Sequence, residues 1–163
     1  MLIRHATLSD LPSLLPMIAE TCALHQSWDA AKYGSVSHPE QLYLDWLPRL
    51  LQNQRNLCLV AEVQESSAQA AQKLVALLIA TVEREIPIYS LKEFGFIQDL
   101  WVEPEYRHLG IARQMVQQAI AHFTQMGVKQ IRLDTANPNE VARKLFTSIG
   151  FRPSRIEMLL ELE

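Results

Sequence analysis

The sequence has few of the features that mark secreted, membrane or nucleic-acid-binding proteins. Its two cysteines, Cys22 and Cys58, form no CxxC pair and no metal-binding pattern. Isolated thiols are typical of a reducing compartment, so we expect reduced cysteines and a cytoplasmic protein. Cys58 lies in the apolar stretch NLCLVAEV, where a buried strand residue is much more common than a nucleophile.

Long apolar runs and an excess of positive charge are also missing. No apolar run approaches the roughly 18 residues of a membrane span, and the N-terminal MLIRHATLSD has no apolar signal core. We therefore expect neither a membrane partner nor export through a signal peptide. The formal net charge is −3 at pH 7, and no basic run interleaved with aromatic residues offsets it, which argues against a nucleic-acid partner.

Motifs for metal and nucleotide sites are absent as well. The five histidines form no i, i+4 pair around a carboxylate, so the sequence predicts no metal site. Neither G-x-G-x-x-G nor G-x-x-x-x-G-K-[ST] occurs, which disfavours the common nucleotide-binding domains.

What the chain does contain fits a single domain over residues 1–163, because 48% of the residues are hydrophobic and 20% are charged. Periodicity predicts strands at 2–7, 56–63, 73–85, 93–102, 128–135 and 156–163. Two helices follow the first strand, one covers 108–126, and one precedes Gly150. This order indicates an α/β fold with a mixed, mostly antiparallel central sheet and helices on both faces.

Several predicted details of the helices and loops are specific enough to check against the structure. Pro16 lies in the apolar stripe of the first helix, so that helix either bends there or begins later. Asn137 is expected to cap the last helix, with Pro138 at its first position. ESSAQAAQ (65–72) reads as a low-complexity loop. The expected buried stripes are Leu42, Trp46 and Leu50 in the second helix and Val141, Leu145 and Ile149 in the last.

The stretch VEPEYRHLGIAR (102–113) ends a strand and opens an amphipathic helix. The first turn of a helix has free N–H groups and a partial positive charge, which stabilise an anion. Gly110 has no β-carbon and lets a phosphate approach the main chain, Ala112 keeps the first turn small, and Arg107 adds charge. Taken alone, the spacing R-x-x-G-x-A fits a polar turn with a solvated arginine equally well.

The surrounding sequence resembles the acetyl-CoA-binding stretch of the GNAT superfamily of N-acetyltransferases. The family pattern is an apolar strand ending V-x-P, two residues, and R-x-x-G-x-G/A, matched by Val102, Pro104, Arg107, Gly110 and Ala112. A second family element, N-x-x-A-x-x-L-Y-x-x-x-G-F, is matched by Asn139, Ala142, Leu145, Gly150 and Phe151.

The resemblance implies that the fourth and fifth strands splay apart and that acetyl-CoA lies in the opening. Backbone groups near Leu100 and Val102 would pair with the pantetheine arm, and the amides of 109–112 would hold the pyrophosphate. The implied cofactor-binding residues are Leu100, Val102, Arg107, His108, Leu109, Gly110, Ile111, Ala112, Asn139 and Phe146.

Acetyl transfer to an amine requires a neutral nitrogen, a stabilised oxyanion and a departing thiolate. An alkyl ammonium has a pKa of about 10.4, so only about one in 2,500 is neutral at pH 7 and a carboxylate base would help. Asp99 is the candidate base, although a hydrogen bond across the strand splay would explain it equally well. Gln98 stands where some relatives carry Glu and cannot act as a base. A backbone N–H near Leu100 would meet the oxyanion.

Phe146 departs from the family pattern, because many relatives have a tyrosine there that can protonate the leaving sulfur. A thiol with a pKa of about 8.5 leaves as an anion at pH 7 at a cost of only about 2 kcal/mol, so activity is still expected. The alternative function is a non-catalytic acyl-CoA-binding or regulatory module.

The expected partners are a small-molecule or peptide amine and, in a homodimer, a second copy of the chain. The acceptor pocket of such a fold comes largely from the connector between the first two helices and the turn before the fourth strand. Aromatic and acidic residues there suit a cationic amine, but they suit a surface loop as well. They are Trp28, Tyr33, His38, Glu83, Glu85 and Tyr89.

Overall fold

A computed structural model describes residues 1–34, 36–64 and 72–162 as a sheet covered by helices. The predicted loop at 65–72 falls outside the described residues except for Gln72. The strands are β1 (Leu2–His5), β2 (Leu57–Gln64), β3 (Gln72–Arg84), β4 (Glu93–Val102) and β5 (Ile131–Leu133). The helices are α1 (Leu11–Trp28), α2 (Ala30–Tyr33), α3 (Glu40–Gln52), α4 (Ile111–Gln125) and α5 (Glu140–Ile149). Short 3₁₀ turns occupy Leu8–Asp10 and Pro104–Tyr106.

The strands lie in the order β1-β2-β3-β4-β5, with antiparallel pairing up to β4 and parallel pairing of β4 with β5. This confirms the predicted mixed, mostly antiparallel sheet. The parallel pairing covers only Gly95–Ile97 of β4, opposite Ile131–Leu133. β4 continues to Val102 with β3 as its strand partner in the described chain, so the sheet opens between β4 and β5, as the resemblance implied.

Helices cover both faces of the sheet, as predicted from the order of elements. β2 and β3 are buried on both sides because their side chains alternate between two apolar clusters. On one face α4 contributes Met115 and Phe123, both fully buried, to a cluster with Leu78. On the other face Leu14 of α1 and Leu47 of α3 are fully buried in a second cluster. None of the described helices is long and apolar enough to cross a membrane.

A glycine in β4 allows α4 to pack closely on the sheet. A β-carbon built on Gly95 would lie 2.7 Å from Cδ2 of Phe123, nearer than real β-carbons approach other atoms. Phe123 fills this space and is fully buried. The close contact between helix and strand therefore depends on the absence of a side chain at residue 95.

An arginine near the N-terminus links β1 to the start of α1. Arg4 donates two hydrogen bonds to Asp10, of 2.8 and 2.9 Å, and a third of 2.7 Å to Glu62. The hydrogen bonds from Arg4 are the main reason that the pKa of Asp10 falls to about 2. A carboxyl whose pKa is lowered by folding stabilises the fold at pH values above its pKa in the unfolded chain. This contribution is lost as the pH falls towards 2.

The closing strand predicted at 156–163 is wrong for the residues that the structure describes. The segment 151–162 forms neither helix nor strand, and the apolar side chains of Ile156, Met158 and Leu160 are more than four-fifths exposed. The alternation of apolar and acidic residues is typical of a strand, but no described sheet edge pairs with it.

Two helix predictions need correction, and one open alternative is resolved. α5 is capped by Asn139, whose Oδ1 accepts a hydrogen bond of 3.1 Å from the Ala142 amide; Asn137 and Pro138 lie in the preceding turn. Leu42 and Val141 are 64% and 72% exposed, because the buried faces of their helices run through other residues, including Leu47 and Phe146. α1 begins at Leu11 and continues through Pro16, so the late start is excluded.

Candidate active site

A β-bulge in β4 lies beside the candidate base. Ile79 of β3 pairs with Asp99, and the next residue, Ala80, pairs with Ile97. Gln98 is therefore an extra residue in β4, which is what defines a bulge. The Gln98 side chain is held by Thr81 of β3, whose hydroxyl oxygen accepts a hydrogen bond of 3.1 Å from Nε2.

The bulge determines which way Asp99 faces. Before the bulge, Gly95 and Ile97 face α4; after it, Leu100 and Val102 do. Side chains of a regular strand alternate between its two faces, so Asp99 would follow Gly95 and Ile97 and face α4 if residues 95–102 formed a strand without a bulge. It faces α1 and α3 instead, where the carboxylate lies next to side chains from those helices.

The Asp99 carboxyl is half-buried and hydrogen-bonded to α3. Oη of Tyr43 donates to Oδ2 of Asp99 over 3.2 Å. Burial raises the pKa of Asp99 to about 6, and the hydrogen bond from Tyr43 opposes this rise. At pH 7 about nine in ten of these carboxyls are ionised, and an ionised carboxylate with such a pKa accepts a proton more readily than an ordinary aspartate.

Two titratable side chains beside Asp99, Tyr43 and Cys22, are neutral at pH 7. Burial, followed by the charge of Asp99, raises the pKa of the Tyr43 phenol well above its usual value. The same two causes raise the pKa of the Cys22 thiol. Tyr43 is therefore a constant hydrogen-bond donor, and neither group competes with Asp99 for protons. Cys58 is buried as predicted, and burial raises its pKa to about 12, which argues against a nucleophile.

A cleft of about 270 Å³ opens at the place where β4 and β5 separate. Four of the residues predicted for the site line it, namely Asp99, Leu100, Asn139 and Phe146. Residues from five elements or the turns after them contribute to its walls: α1, α2, β4, β5 and α5. The cleft therefore depends on the whole of the opened sheet edge and not on one motif.

The cleft also contains residues that the sequence analysis missed. His25 comes from α1, and burial lowers its pKa, so that it is neutral at pH 7. Asp134 and Thr135 follow β5 directly, and the Thr135 hydroxyl is buried without a partner in the part of the chain that is described. Their position just after a strand beside the splay was the signal that could have identified them, because ligands bind beyond the carboxyl ends of such strands.

The start of α4 leaves room for an anion at its backbone. Gly110 has a φ of +79°, in the left-handed region that favours glycine, and α4 has no side-chain cap. A β-carbon on Gly110 would have a single neighbour within 4 Å, Nε2 of Gln114 at 3.9 Å, so the space beside the backbone is open. The uncapped N–H groups of the first turn can therefore reach an anion.

The remaining residues of the loop differ in what they can offer a ligand. Ile111 is buried in the core, so only its backbone amide is available, whereas Leu109 is 63% exposed. Arg107 donates from Nε to the Val102 carbonyl over 2.9 Å, and its guanidinium lies 4.9 Å from the ring centre of Trp101. These contacts hold the loop against the end of β4, while the Arg107 side chain stays exposed. His108, like Gly110, has a positive φ, 64°.

A second concavity, of about 420 Å³, lies on the outer face of α5. All of its lining residues come from this one helix, and they are exposed side chains of mixed charge. It is a surface groove that shares no lining residue with the cleft. Among the described residues, no group of three or more His, Cys, Asp or Glu side chains is placed to hold a metal ion.

Comparison with known proteins shows the family. Residues 22–151 match the model of the acetyltransferase (GNAT) family, so the chain belongs to that family. It is 27% identical over 113 residues to an aminoglycoside N(6')-acetyltransferase type 1 from Acinetobacter genomosp. 13, a match that covers 69% of this chain and 73% of that protein.

Solved structures show the same fold at low identity. The tetramutant of BH1408 protein from Bacillus halodurans is similar with a TM-score of 0.81 and 22% identity, covering 99% of this chain and 100% of that one. The aminoglycoside N-acetyltransferase AAC(6')-Iy in complex with CoA is similar with a TM-score of 0.69 and 15% identity, covering 98% and 93%.

Proposed function

We propose that this protein transfers the acetyl group of acetyl-CoA to a primary amine of a small molecule or peptide, by direct attack of the amine on the thioester. The observation that carries the proposal is Asp99, a carboxylate with a raised pKa in the cleft where β4 and β5 separate. Membership in the acetyltransferase (GNAT) family and the CoA complex of a structural relative support acetyl-CoA as the donor.

The residues of the cleft have distinct roles in this proposal. Asp99 takes a proton from the substrate ammonium, directly or through a water molecule, and Tyr43 holds the carboxylate in place. A backbone N–H near Leu100 stabilises the negative charge that develops on the carbonyl oxygen. Acetyl-CoA, when bound, supplies the acyl group and a thiol leaving group.

The binding residues lie around the opening of the sheet. The amides of Leu109, Gly110, Ile111 and Ala112 hold the pyrophosphate at the uncapped start of α4, with Arg107 and His108 beside them. The backbone of Leu100 and Val102 pairs with the pantetheine arm, and Asn139 and Phe146 border it from α5. Asn139 already uses its side-chain oxygen to cap α5, which leaves its NH₂ group for a ligand.

The acceptor pocket is proposed to take a cationic amine, because aromatic rings and carboxylates meet in the cleft. Tyr33 lines it together with His25, and their ring centres are 5.2 Å apart. The ring centre of Trp28 lies 5.4 Å from that of His25. Other acceptor candidates have structural partners: Glu83 is hydrogen-bonded to Thr81, and Glu85 forms an ion pair with Arg132. His38 and Tyr89 are exposed outside the cleft.

The alternative function is a non-catalytic acyl-CoA-binding or regulatory module. It is favoured by Phe146, a buried phenyl group that lines the cleft and offers no hydroxyl to the leaving sulfur. Both functions require CoA binding, so turnover distinguishes them. A cytoplasmic location is part of the proposal and is supported by two free cysteines.

The decisive experiment measures release of free thiol from acetyl-CoA in the presence of polyamines, amino acids, aminoglycosides and peptides. We expect thiol release that depends on the amine, with mass spectrometry showing one added acetyl group on the acceptor. CoA binding by calorimetry without turnover on any amine would favour the regulatory module. Absence of both binding and turnover would contradict the proposal.

A further inference from the structure

Gln98 and Asp99 are consecutive residues of β4, yet their side chains lie on the same face of the sheet. Asp99 faces α1 and α3, where Tyr43 donates to its carboxylate. Gln98 is hydrogen-bonded to Thr81, which lies two residues after Ile79, a member of the buried cluster on the α1 and α3 face. Successive side chains of a regular strand point to opposite faces, so the bulge brings these two polar side chains together. Both of them line the cleft.

Two hydrogen bonds determine which end of the Gln98 amide faces Thr81. The buried Thr81 hydroxyl donates to Oε1 of Glu83 over 2.6 Å. A carboxylate has no proton to give, so this bond uses the single hydroxyl proton of Thr81. The Thr81 oxygen can then only accept, and it accepts from Nε2 of Gln98 over 3.1 Å. The reverse orientation of the amide would place two oxygens together without a proton between them. Glu83 therefore fixes the orientation of the Gln98 amide through Thr81.

The other end of the Gln98 amide is an acceptor that is free to bind a ligand. In the part of the chain that the structure describes, no group donates to its carbonyl oxygen, and the side chain is exposed in the cleft. Together with the carboxylate of Asp99, it offers two acceptors from adjacent residues. A primary ammonium has three N–H groups and can donate to both. An amide also adds no charge, whereas a second carboxylate would raise the pKa of Asp99 further.

We propose that Gln98 binds the acceptor substrate: its carbonyl oxygen accepts a hydrogen bond from the primary amine whose proton Asp99 takes. Thr81 and Glu83 are positioning residues that act through Gln98. The ammonium gives one proton to the Asp99 carboxylate, directly or through water, and the neutral amine that results has no charge to attract it to Asp99. The hydrogen bond to Gln98 keeps this amine in the cleft. The inference rests on the proposed function in taking the bound group to be the acceptor amine.

Binding of ethylamine, a minimal primary amine, to the full chain tests the role of Gln98 without requiring turnover. Chemical-shift titration by NMR measures the affinity. Gln98→Met keeps the length of the side chain but removes the acceptor, and we expect the affinity to fall about tenfold. Glu93→Gln is the control, because Glu93 also loses hydrogen bonds, those from Arg55, but lies outside the cleft. This control should bind ethylamine like the wild type.

A matched pair of variants at Thr81 tests the positioning role. Thr81→Val removes the hydroxyl, and we expect the affinity for ethylamine to fall at least about twofold, because an amide free to take either orientation is competent half of the time. Thr81→Ser keeps the hydroxyl and should retain the wild-type affinity. Because Thr81 acts through Gln98, Thr81→Val should cost nothing further when it is added to Gln98→Met. Additive losses in the double variant would overturn the positioning role.

Steady-state kinetics separates this inference from the proposed function. Gln98→Met and Thr81→Val should raise the KM for the amine and leave the KM for acetyl-CoA unchanged. Turnover by Gln98→Met with an unchanged KM for the amine, or wild-type affinity of this variant for ethylamine, would overturn the inference and leave the proposed function intact. Ethylamine binding that depends on Gln98 in a protein that acetylates no amine would support the amine site and contradict the proposed function.

Discussion

The first half of β4 is hydrogen-bonded to a strand on each side, whereas its second half is paired with β3 alone. In the first half, Gly95 and Ile97 are buried and lie between β3 and β5. In the second half, Gln98 is exposed and Asp99 and Leu100 are half-buried at the edge of the cleft. One strand therefore contributes close packing at one end and a wall of the cleft at the other.

The second half of β4 holds a carboxyl group, Asp99, that lowers the stability of the folded state at neutral pH. Asp99 has a folded pKa of about 6, above its ordinary value of 3.8. The folded state therefore binds the proton more tightly, and the stabilising contribution of Asp99 is complete below about pH 4 and lost as the pH rises through about 6. At neutral pH the ionised carboxylate destabilises the fold, which agrees with the role of base that we propose for Asp99.

The largest expected effect is that of Asp99→Asn at the open end. The rate of acetyl transfer should fall about a hundredfold at pH 7 and much less at about pH 9.5, where more of the amine is already neutral. The measurement is the pH–rate profile beside that of Asp45→Asn, an exposed substitution on α3. Equal losses at both pH values would assign Asp99 a structural role.

The same variant should unfold at a higher temperature than the wild type at pH 7 and above. The neutral amide removes the buried charge, and a gain of about 1 kcal/mol corresponds to a rise of roughly 2–4 °C for a domain of this size. The difference should vanish as the pH is lowered to about 4, where Asp99 is protonated.

A substitution at the paired end should act on stability instead. Gly95→Ala places a methyl group against Phe123, and overpacking of this kind costs about 2 kcal/mol, equivalent to about a thirtyfold change in the folding equilibrium. Urea denaturation measures the loss. Adding Phe123→Leu should recover part of the stability if the contact is responsible; simple additivity of the two losses would contradict this explanation.

The affinity for CoA should fall when a residue at the start of α4 is substituted, and it should stay the same when a residue at its end is substituted. Gly110→Val places a branched side chain where the pyrophosphate is proposed to lie, and we expect the affinity for CoA to fall at least about tenfold by calorimetry. Gly127→Val is the matched control, because Gly127 has a similar φ of 76° and open space at the other end of α4. Similar affinities of the two variants would contradict the proposed site.

The smallest expected effect is that of Phe146→Tyr. If only a proton donor is missing, turnover should rise a few-fold, with about thirtyfold as the upper limit set by 2 kcal/mol, and the gain should shrink above the pKa of the thiol. Phe146 is 7% exposed, so a hydroxyl without a partner would instead reduce stability. Thermal melts and pH–rate profiles distinguish the two outcomes. The control is Phe151→Tyr, because the Phe151 ring meets that of Phe146 edge to face, with 5.5 Å between the ring centres.

The features that could be predicted from the sequence are those that depend on residues close together along the chain. The buried stripe of α4, including Ile111, Met115 and Phe123, follows from helical spacing alone. Asp99 and the glycine loop were selected from short motifs and the family resemblance. The contact between Tyr43 and Asp99 joins residues 56 positions apart and depends on how α3 packs on β4, which no local pattern specifies. The strand predicted at 156–163 was wrong because an alternating pattern is local, whereas a strand needs a neighbour to pair with, and no described sheet edge pairs with this segment.

The extra residue in β4 has a consequence for how the strand can change length over evolutionary time. Removing any regular residue from a strand inverts every side chain beyond it, so the core face becomes the solvent face. Removing Gln98 would not, because Ile97 and Leu100 face α4 on either side of the bulge and Asp99 would still face α1 and α3. A one-residue deletion can therefore be accommodated at this position, and it would straighten the ladder beside Asp99 without exchanging the two faces of β4.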